Sequence, residues 1–188
     1  MIVASAIEGV TWSRLTVHAD SRGAFREIWR RSSYRDLERE ITGTDGAAFV
    51  QANRSTSAAG VLRGMHFHLR QLDHWVLLSG RAFVALADVR PLLAGGDLAP
   101  EIETRTLEAD ETVSIPRGVA HGFLALGPIE LLYLVTNEYD GSDELGFAWD
   151  DPLAAIPWPR VGTADRTPIL SDRDRGNPSL REIIARIR

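Results

Sequence analysis

The chain has no cysteine and no lysine among its 188 residues. Without cysteine there can be no disulfide, no zinc–thiolate site and no thiol nucleophile. Without lysine there is no Schiff-base chemistry. All 21 basic residues are therefore arginine, the side chain best shaped for bidentate phosphate recognition. The formal net charge of -5 argues against a nucleic-acid binder that relies on a broad basic surface. No apolar run approaches the length of a membrane span. The start, Met1-Ile2-Val3-Ala4, has no basic n-region and soon meets Glu8, so no signal peptide is expected. The expectation is a cytoplasmic protein of one domain over residues 1–188, large enough to bury a real core.

What is present reads mostly as strands. Trp75–Leu78 and Ala82–Val89 are short β-rich runs around Ser79-Gly80-Arg81, a hairpin signal. Glu101–Leu107 alternates polar and apolar residues, and Glu111–Ile115 follows it. Pro116-Arg117-Gly118 then makes a turn. Phe123–Leu126 and Ile129–Thr136 read as another pair around Gly127-Pro128. Many short strands at close spacing imply an all-β sandwich or barrel. Helices are expected near the ends. Ser33–Glu40 is one; Ser179-Leu180-Arg181-Glu182 is a capping box opening another over about 179–188, with Ile183, Ile184 and Ile187 on one face. Pro91–Pro100 and Asp150–Pro159 read as loops.

Four of the five histidines, His66, His68, His74 and His121, fall within the strand-rich half, while His18 stands apart as a surface residue. His66 and His68 share one side of a strand, because side chains alternate. His121, after the turn at 116–118, can enter the same barrel mouth. The run Gly60-Val61-Leu62-Arg63-Gly64-Met65-His66-Phe67-His68 admits two readings. In one, His66 is a general base beside an arginine that holds a phosphate. In the other, His66 and His68 open a metal site.

Seven blocks carry a resemblance. They are Asp20-Ser21-Arg22-Gly23-Ala24-Phe25-Arg26-Glu27, Phe49–Ser55, Gly60–Phe67, Ile115–Phe123, Leu132-Tyr133, Trp149-Asp150-Asp151-Pro152 and Leu170–Asp174. In this order, across about residues 8–180, the chain resembles the dTDP-4-dehydrorhamnose 3,5-epimerase family. The resemblance implies a cupin-type jelly-roll barrel with short peripheral helices. It also implies a homodimer that exchanges strands and shares its nucleotide site between subunits. The activity implied is deoxysugar (rhamnose) biosynthesis: epimerisation of a dTDP-4-keto-6-deoxyhexose at C3, C5 or both, without cofactor or metal. The ketone acidifies the neighbouring C–H, and a neutral imidazole is a suitable base.

Matched position by position, the resemblance makes His66 the base, Asp174 its carboxylate partner and Tyr133 the acid returning a proton from the other face. Arg22 and Arg63 match diphosphate-binding arginines. Phe25, Glu27, Gln51, Asn53, His121 and Tyr139 match positions lining the nucleotide and sugar site. The chain departs from the family at the active centre. His68 stands where the family has glutamine, and Asp73 where it has the lysine thought to stabilise the enolate. The loop between these two residues is about two residues shorter than usual. His74, next to Asp73, is expected to face the opposite side.

The same departures resemble the metal motifs of cupins. Gly60-x5-His66-x-His68-x4-Asp73-x6-Gly80 is similar to the first, and Pro116-x-Gly118-x2-His121 to the second. The alternative is therefore a metal-dependent cupin isomerase or oxygenase holding a divalent transition metal with His66, His68, Asp73 and His121. A third reading is a non-catalytic nucleotide-sugar binder.

Overall fold

In a computed structural model of the protein, residues 5–32, 49–160 and 167–188 are described. The helix expected at Ser33–Glu40 lies outside them. Among the described residues twelve strands follow in chain order: β1 (Thr11–Arg14), β2 (Val17–Asp20), β3 (Gly23–Arg26), β4 (Gln51–Ser57), β5 (Leu62–Phe67), β6 (Asp73–Ser79), β7 (Arg81–Asp88), β8 (Glu101–Glu108), β9 (Glu111–Ile115), β10 (Val119–Ala125), β11 (Ile129–Val135) and β12 (Leu145–Gly146). Helix α1 spans Arg90–Leu93, α2 Asp172–Arg175 and α3 Leu180–Ile187. Among the described residues no helix is long and apolar enough to cross a membrane.

Ten strands form two five-stranded sheets, in the orders β1-β9-β6-β11-β4 and β12-β5-β10-β7-β8. Every pairing in them is antiparallel. The sheets face each other as a jelly roll, the cupin-type architecture expected. Two local readings need correction. Ser79-Gly80-Arg81 is not a hairpin turn: β6 lies in the first sheet and β7 in the second. Gly127-Pro128 likewise separates β10 and β11 into different sheets. Both turns are corners at which the chain changes layer. At Gly80 (φ +82°) an added Cβ would stand 2.3 Å from the Pro128 carbonyl oxygen, so the two corners abut at a position only glycine fills. Within the expected Pro91–Pro100 loop, Pro91 opens the short helix α1, because its fixed φ and missing N–H suit a first helical turn.

Alternation along β7 shows how the layers are built. Val84 and Leu86 pack between the sheets with Trp12, Leu77, Val113 and Leu131. Ala85 and Ala87 face outward, against Phe147, Leu180, Ile183 and Ile184. The second sheet is thus buried on both faces, which explains why β7 reads as a nearly continuous apolar run. Helix α3 covers the outer face. The predicted capping box is present: the Ser179 hydroxyl accepts from the Glu182 N–H, and the Glu182 carboxylate accepts from the Ser179 N–H at 2.8 Å.

Asp151 links this helix to the 150–159 loop. Its buried carboxylate accepts from the N–H groups of Leu153 (2.9 Å), Ala154 (3.2 Å) and Leu180 (2.8 Å). Hairpin β2–β3 belongs to neither sheet. It is largely exposed, with Phe25 68% accessible, and is tied back by Arg26 to Asp110 at 2.5 Å. We expect Asp151→Ala to destabilise the fold by about 3 kcal/mol, since buried N–H donors lose their acceptor. Urea denaturation measures this, and a loss below about 1 kcal/mol would show that Asp151 does not hold α3.

Candidate active site

A cavity of about 450 Å³ opens between the two sheets. The first sheet supplies alternate residues: Gln51, Asn53 and Ser55 from β4, Leu131, Tyr133 and Val135 from β11, and Asp73 and Trp75 from β6. The second supplies Arg63 and His66 from β5 and His121 and Phe123 from β10. His68, Arg70, Gln71, residues 137–141, Asp143 and Glu144 complete the lining.

Arg63 and His66 are an odd number of residues apart, so plain alternation would aim them oppositely. The β10–β5 pairing resolves this with a register shift: His121 opposes His66, but Phe123 opposes Arg63. The extra residue on β5 is taken up at the bulge, and both side chains reach the cavity. Glycine makes the contact possible. A Cβ on Gly64 (φ +131°) would lie 2.7 Å from the Gly122 Cα, and one on Gly122 would lie 2.9 Å from the Arg63 carbonyl oxygen.

His66 Nε2 lies 2.6 Å from Asp174 Oδ1. Asp174 is not the loop surface residue its Asp/Arg-rich surroundings suggest. It is 4% exposed and sits in α2, whose N-cap is Ser171; the Ser171 hydroxyl accepts from the Asp174 N–H at 3.0 Å. Burial works to raise the Asp174 carboxyl. The hydrogen bond and charge of His66, with Ser171 and the Gly64 N–H, more than offset it, and its pKa ends below the usual value. The ionised carboxylate only accepts, so the Nε2–H donates to it and Nδ1 is the ring's other nitrogen.

Tyr133 is half-buried on the opposite sheet. Burial pushes its phenol up, with Asp73 and Glu144 adding to the shift and Arg63 opposing it. It therefore stays protonated at neutral pH. Arg63 is exposed at the rim and donates to the Ser57 hydroxyl (3.2 Å) and the Thr56 carbonyl (3.3 Å). Gln51 donates to Asn53 at 2.8 Å and accepts from the Tyr139 N–H at 2.9 Å.

A second group of side chains surrounds the buried Asp73. Gln71 Nε2 donates to Asp73 Oδ1 at 2.7 Å, and Trp75 Nε1 to Oδ2 at 3.2 Å. His68 and His121 approach it at 3.9 and 3.7 Å. The four residues of the metal reading do not form one cluster. The donor atoms of His68, Asp73 and His121 lie within 4.8 Å of one another, while His66 Nε2 is committed to Asp174.

Arg22, Phe25 and Glu27 do not reach this cavity. All three are exposed, Arg22 and Phe25 on the β2–β3 hairpin and Glu27 just after it. His18 is exposed as expected and packs against Phe25. His74 points away from the cavity and bonds Ser114 at 2.8 Å. Residue reading missed Gln71, Trp75 and Asp143. Asp143 is a clamp: its carboxylate accepts from the N–H groups of Leu69, Arg70 and Gln71 at 2.9, 3.0 and 3.1 Å, and its carbonyl meets His68 Nδ1 at 2.7 Å. Only its place in the acidic, Gly/Ser-containing segment 140–144 hinted at a turn.

The family model for dTDP-4-dehydrorhamnose 3,5-epimerase matches residues 4–182. A Mycobacterium tuberculosis protein named dTDP-4-dehydrorhamnose 3,5-epimerase is 34% identical over 90% of this chain and 82% of its own length. The structure of a Legionella pneumophila dTDP-6-deoxy-D-glucose-3,5-epimerase in complex with dTDP-4-keto-L-rhamnose superposes with a TM-score of 0.84. It has 29% identity and covers 100% of this chain and 96% of that one. A 3'-monoepimerase from Streptomyces bikiniensis in complex with dTDP-quinovose gives a TM-score of 0.79 at 29% identity, over 97% and 89% of the two chains.

Burial pushes His74 down to about 3 and His121 to about 4 from an ordinary value of 6.5; the Asp73 charge only partly offsets this for His121. Both values are depressed, so below 6.5 the unfolded chain binds protons that the folded chain refuses. Their contribution is complete above 6.5 and is lost as pH falls toward 4. We expect stability to fall by on the order of 2 kcal/mol per pH unit through that window. Denaturation at a series of pH values reads the slope, and His74→Gln should roughly halve it. Constant stability down to about pH 4.5 would contradict neutral burial of these rings.

Proposed function

We propose, because the chain belongs to the dTDP-4-dehydrorhamnose 3,5-epimerase family, that it inverts a carbon beside the C4 ketone of a dTDP-4-keto-6-deoxyhexose, at C3 or at both C3 and C5. On this reading residues 1–188 act as one cupin domain in the cytoplasm.

The observation that carries the reading is the placement of His66 and Tyr133 on opposing sheets across one cavity. A sugar ring lying between the sheets meets a proton acceptor on one face and a proton donor on the other, as inversion requires. Asp174 holds the His66 Nε2–H, leaves Nδ1 free as the base and stabilises the imidazolium that forms. Tyr133, kept protonated by burial, returns a proton to the opposite face. The chemistry is redox-neutral and draws its driving force from the ketone, so it calls for no cofactor. Arg63 at the rim suits a diphosphate, with Gln51, Asn53, Asp73, His121 and Tyr139 lining the path inward.

The working form on this reading is a homodimer in which hairpin β2–β3 reaches a partner's cavity. Its support is that Arg22 and Phe25 sit on an exposed hairpin that joins neither sheet of its own chain. Glu27 follows directly and is also exposed.

His66→Ala should abolish both solvent-deuterium incorporation and inversion of dTDP-4-keto-6-deoxyglucose. Tyr133→Phe should continue to incorporate deuterium with retention while inversion drops by roughly 100-fold or more. Proton NMR in D2O distinguishes the two; undiminished exchange by His66→Ala would remove the base assignment. For the shared site, mixing inactive Arg22→Ala and His66→Ala subunits should restore activity, because some mixed dimers carry one intact site. No recovery from subunits that demonstrably exchange would place Arg22 outside the site.

A further inference from the structure

We propose that His68, Asp73 and His121 form a divalent transition-metal site in the wall of the same cavity, separate from the His66–Asp174 pair. Three observations carry it. First, the donors converge: His68 Nε2 is 3.9 Å from Asp73 Oδ1, His121 Nε2 is 3.7 Å from Asp73 Oδ2, and the three donor atoms lie within 4.8 Å of one another. Ligands about 2.1 Å from a shared ion stand roughly 3 to 4 Å apart, so sub-ångström side-chain movements close the shell.

Second, both rings are fixed in the ligating tautomer. His68 Nδ1 donates to the Asp143 carbonyl at 2.7 Å, and His121 Nδ1 donates to the Val119 carbonyl at 3.2 Å. A carbonyl can only accept, so Nδ1 carries the hydrogen in each ring and Nε2 is the nitrogen turned toward the carboxylate. A backbone acceptor behind each imidazole is the arrangement that orients metal-ligating histidines.

Third, the arrangement is electron-rich and short of positive charge. His121 Nε2 makes no hydrogen bond among the described residues and faces a carboxylate oxygen. Trp75 Nε1 donates to Asp73 Oδ2 at 3.2 Å, and the Gln71 amide bridges part of the remaining gap, reaching His68 Nε2 at 3.2 Å and Asp73 Oδ1 at 2.7 Å. It is the group an incoming ion displaces. Two imidazoles and one carboxylate suit Zn, Fe, Mn, Co or Ni and leave positions open for water or a ligand oxygen.

The test is independent of turnover. Tag-free protein, stripped with chelator, is titrated with Co(II) and with Zn(II) at about pH 7. One equivalent should bind, and Co(II) should develop visible d–d bands. Asp73→Asn should weaken binding by about 100-fold or more, while Gln71→Ala should keep or tighten it, with circular dichroism confirming both folds. Failure of the wild-type chain to take up either metal at micromolar concentration overturns the proposal. Uptake undiminished in Asp73→Asn does so too, because the ion is then held elsewhere. His66→Asn should bind metal like the wild type; a large loss there would return His66 to the ligand set and overturn the separation of the two groups.

Discussion

The short hydrogen bond between His66 and Asp174 is the contact on which the reading of the site depends. It joins a barrel strand to a helical turn 108 residues later and fixes which ring nitrogen donates. Half-buried beside an ionised carboxylate, the imidazole donates from Nε2. Its placement in turn requires strands β5 and β10 to approach as closely as they do. Gly64 and Gly122 permit that approach, and the register shift beside them brings Arg63, His66 and His121 into one cavity.

The jelly roll gives the cavity two dissimilar walls. One sheet presents Tyr133, Asn53 and Asp73; the other presents His66, Arg63 and His121. Because side chains alternate along the strands, with the bulge in β5 as the exception, each wall can be polar toward the cavity while the neighbouring side chains still pack apolar layers. The second sheet is covered outside by α3, and Asp151 and the capping box anchor that helix. Cavity lining and core packing are thus carried by the same strands.

Much of this was legible in the sequence, for identifiable reasons. The capping box at Ser179–Glu182 is a local pattern with a local cause, and the structure contains it. The strand runs from Trp75 to Thr136 were visible because β-branched and aromatic residues cluster there. Their pairing was not visible: a Gly/Pro turn marks where a strand ends but not which sheet the next one joins, so two layer-changing corners read as hairpins. Asp143 could not be read because its role is to bind three N–H groups some 70 residues earlier. Strands β2 to β4 lacked a signal, since Gln51–Ser57 is polar along nearly its whole length. The ordered motifs did identify His66 and Asp174, which the fold brings together. They could not show that His66 and His68, two residues apart on the same side, have different partners.

The central claim is that His66 takes a proton from a carbon next to a ketone. The most direct measurement is proton NMR of dTDP-4-keto-6-deoxyglucose with the wild-type protein in D2O, run with and without a chelator. Loss of the C3 signal, or of C3 and C5 together, is expected, and the exchange should survive the chelator. No exchange at either carbon under both conditions would contradict it.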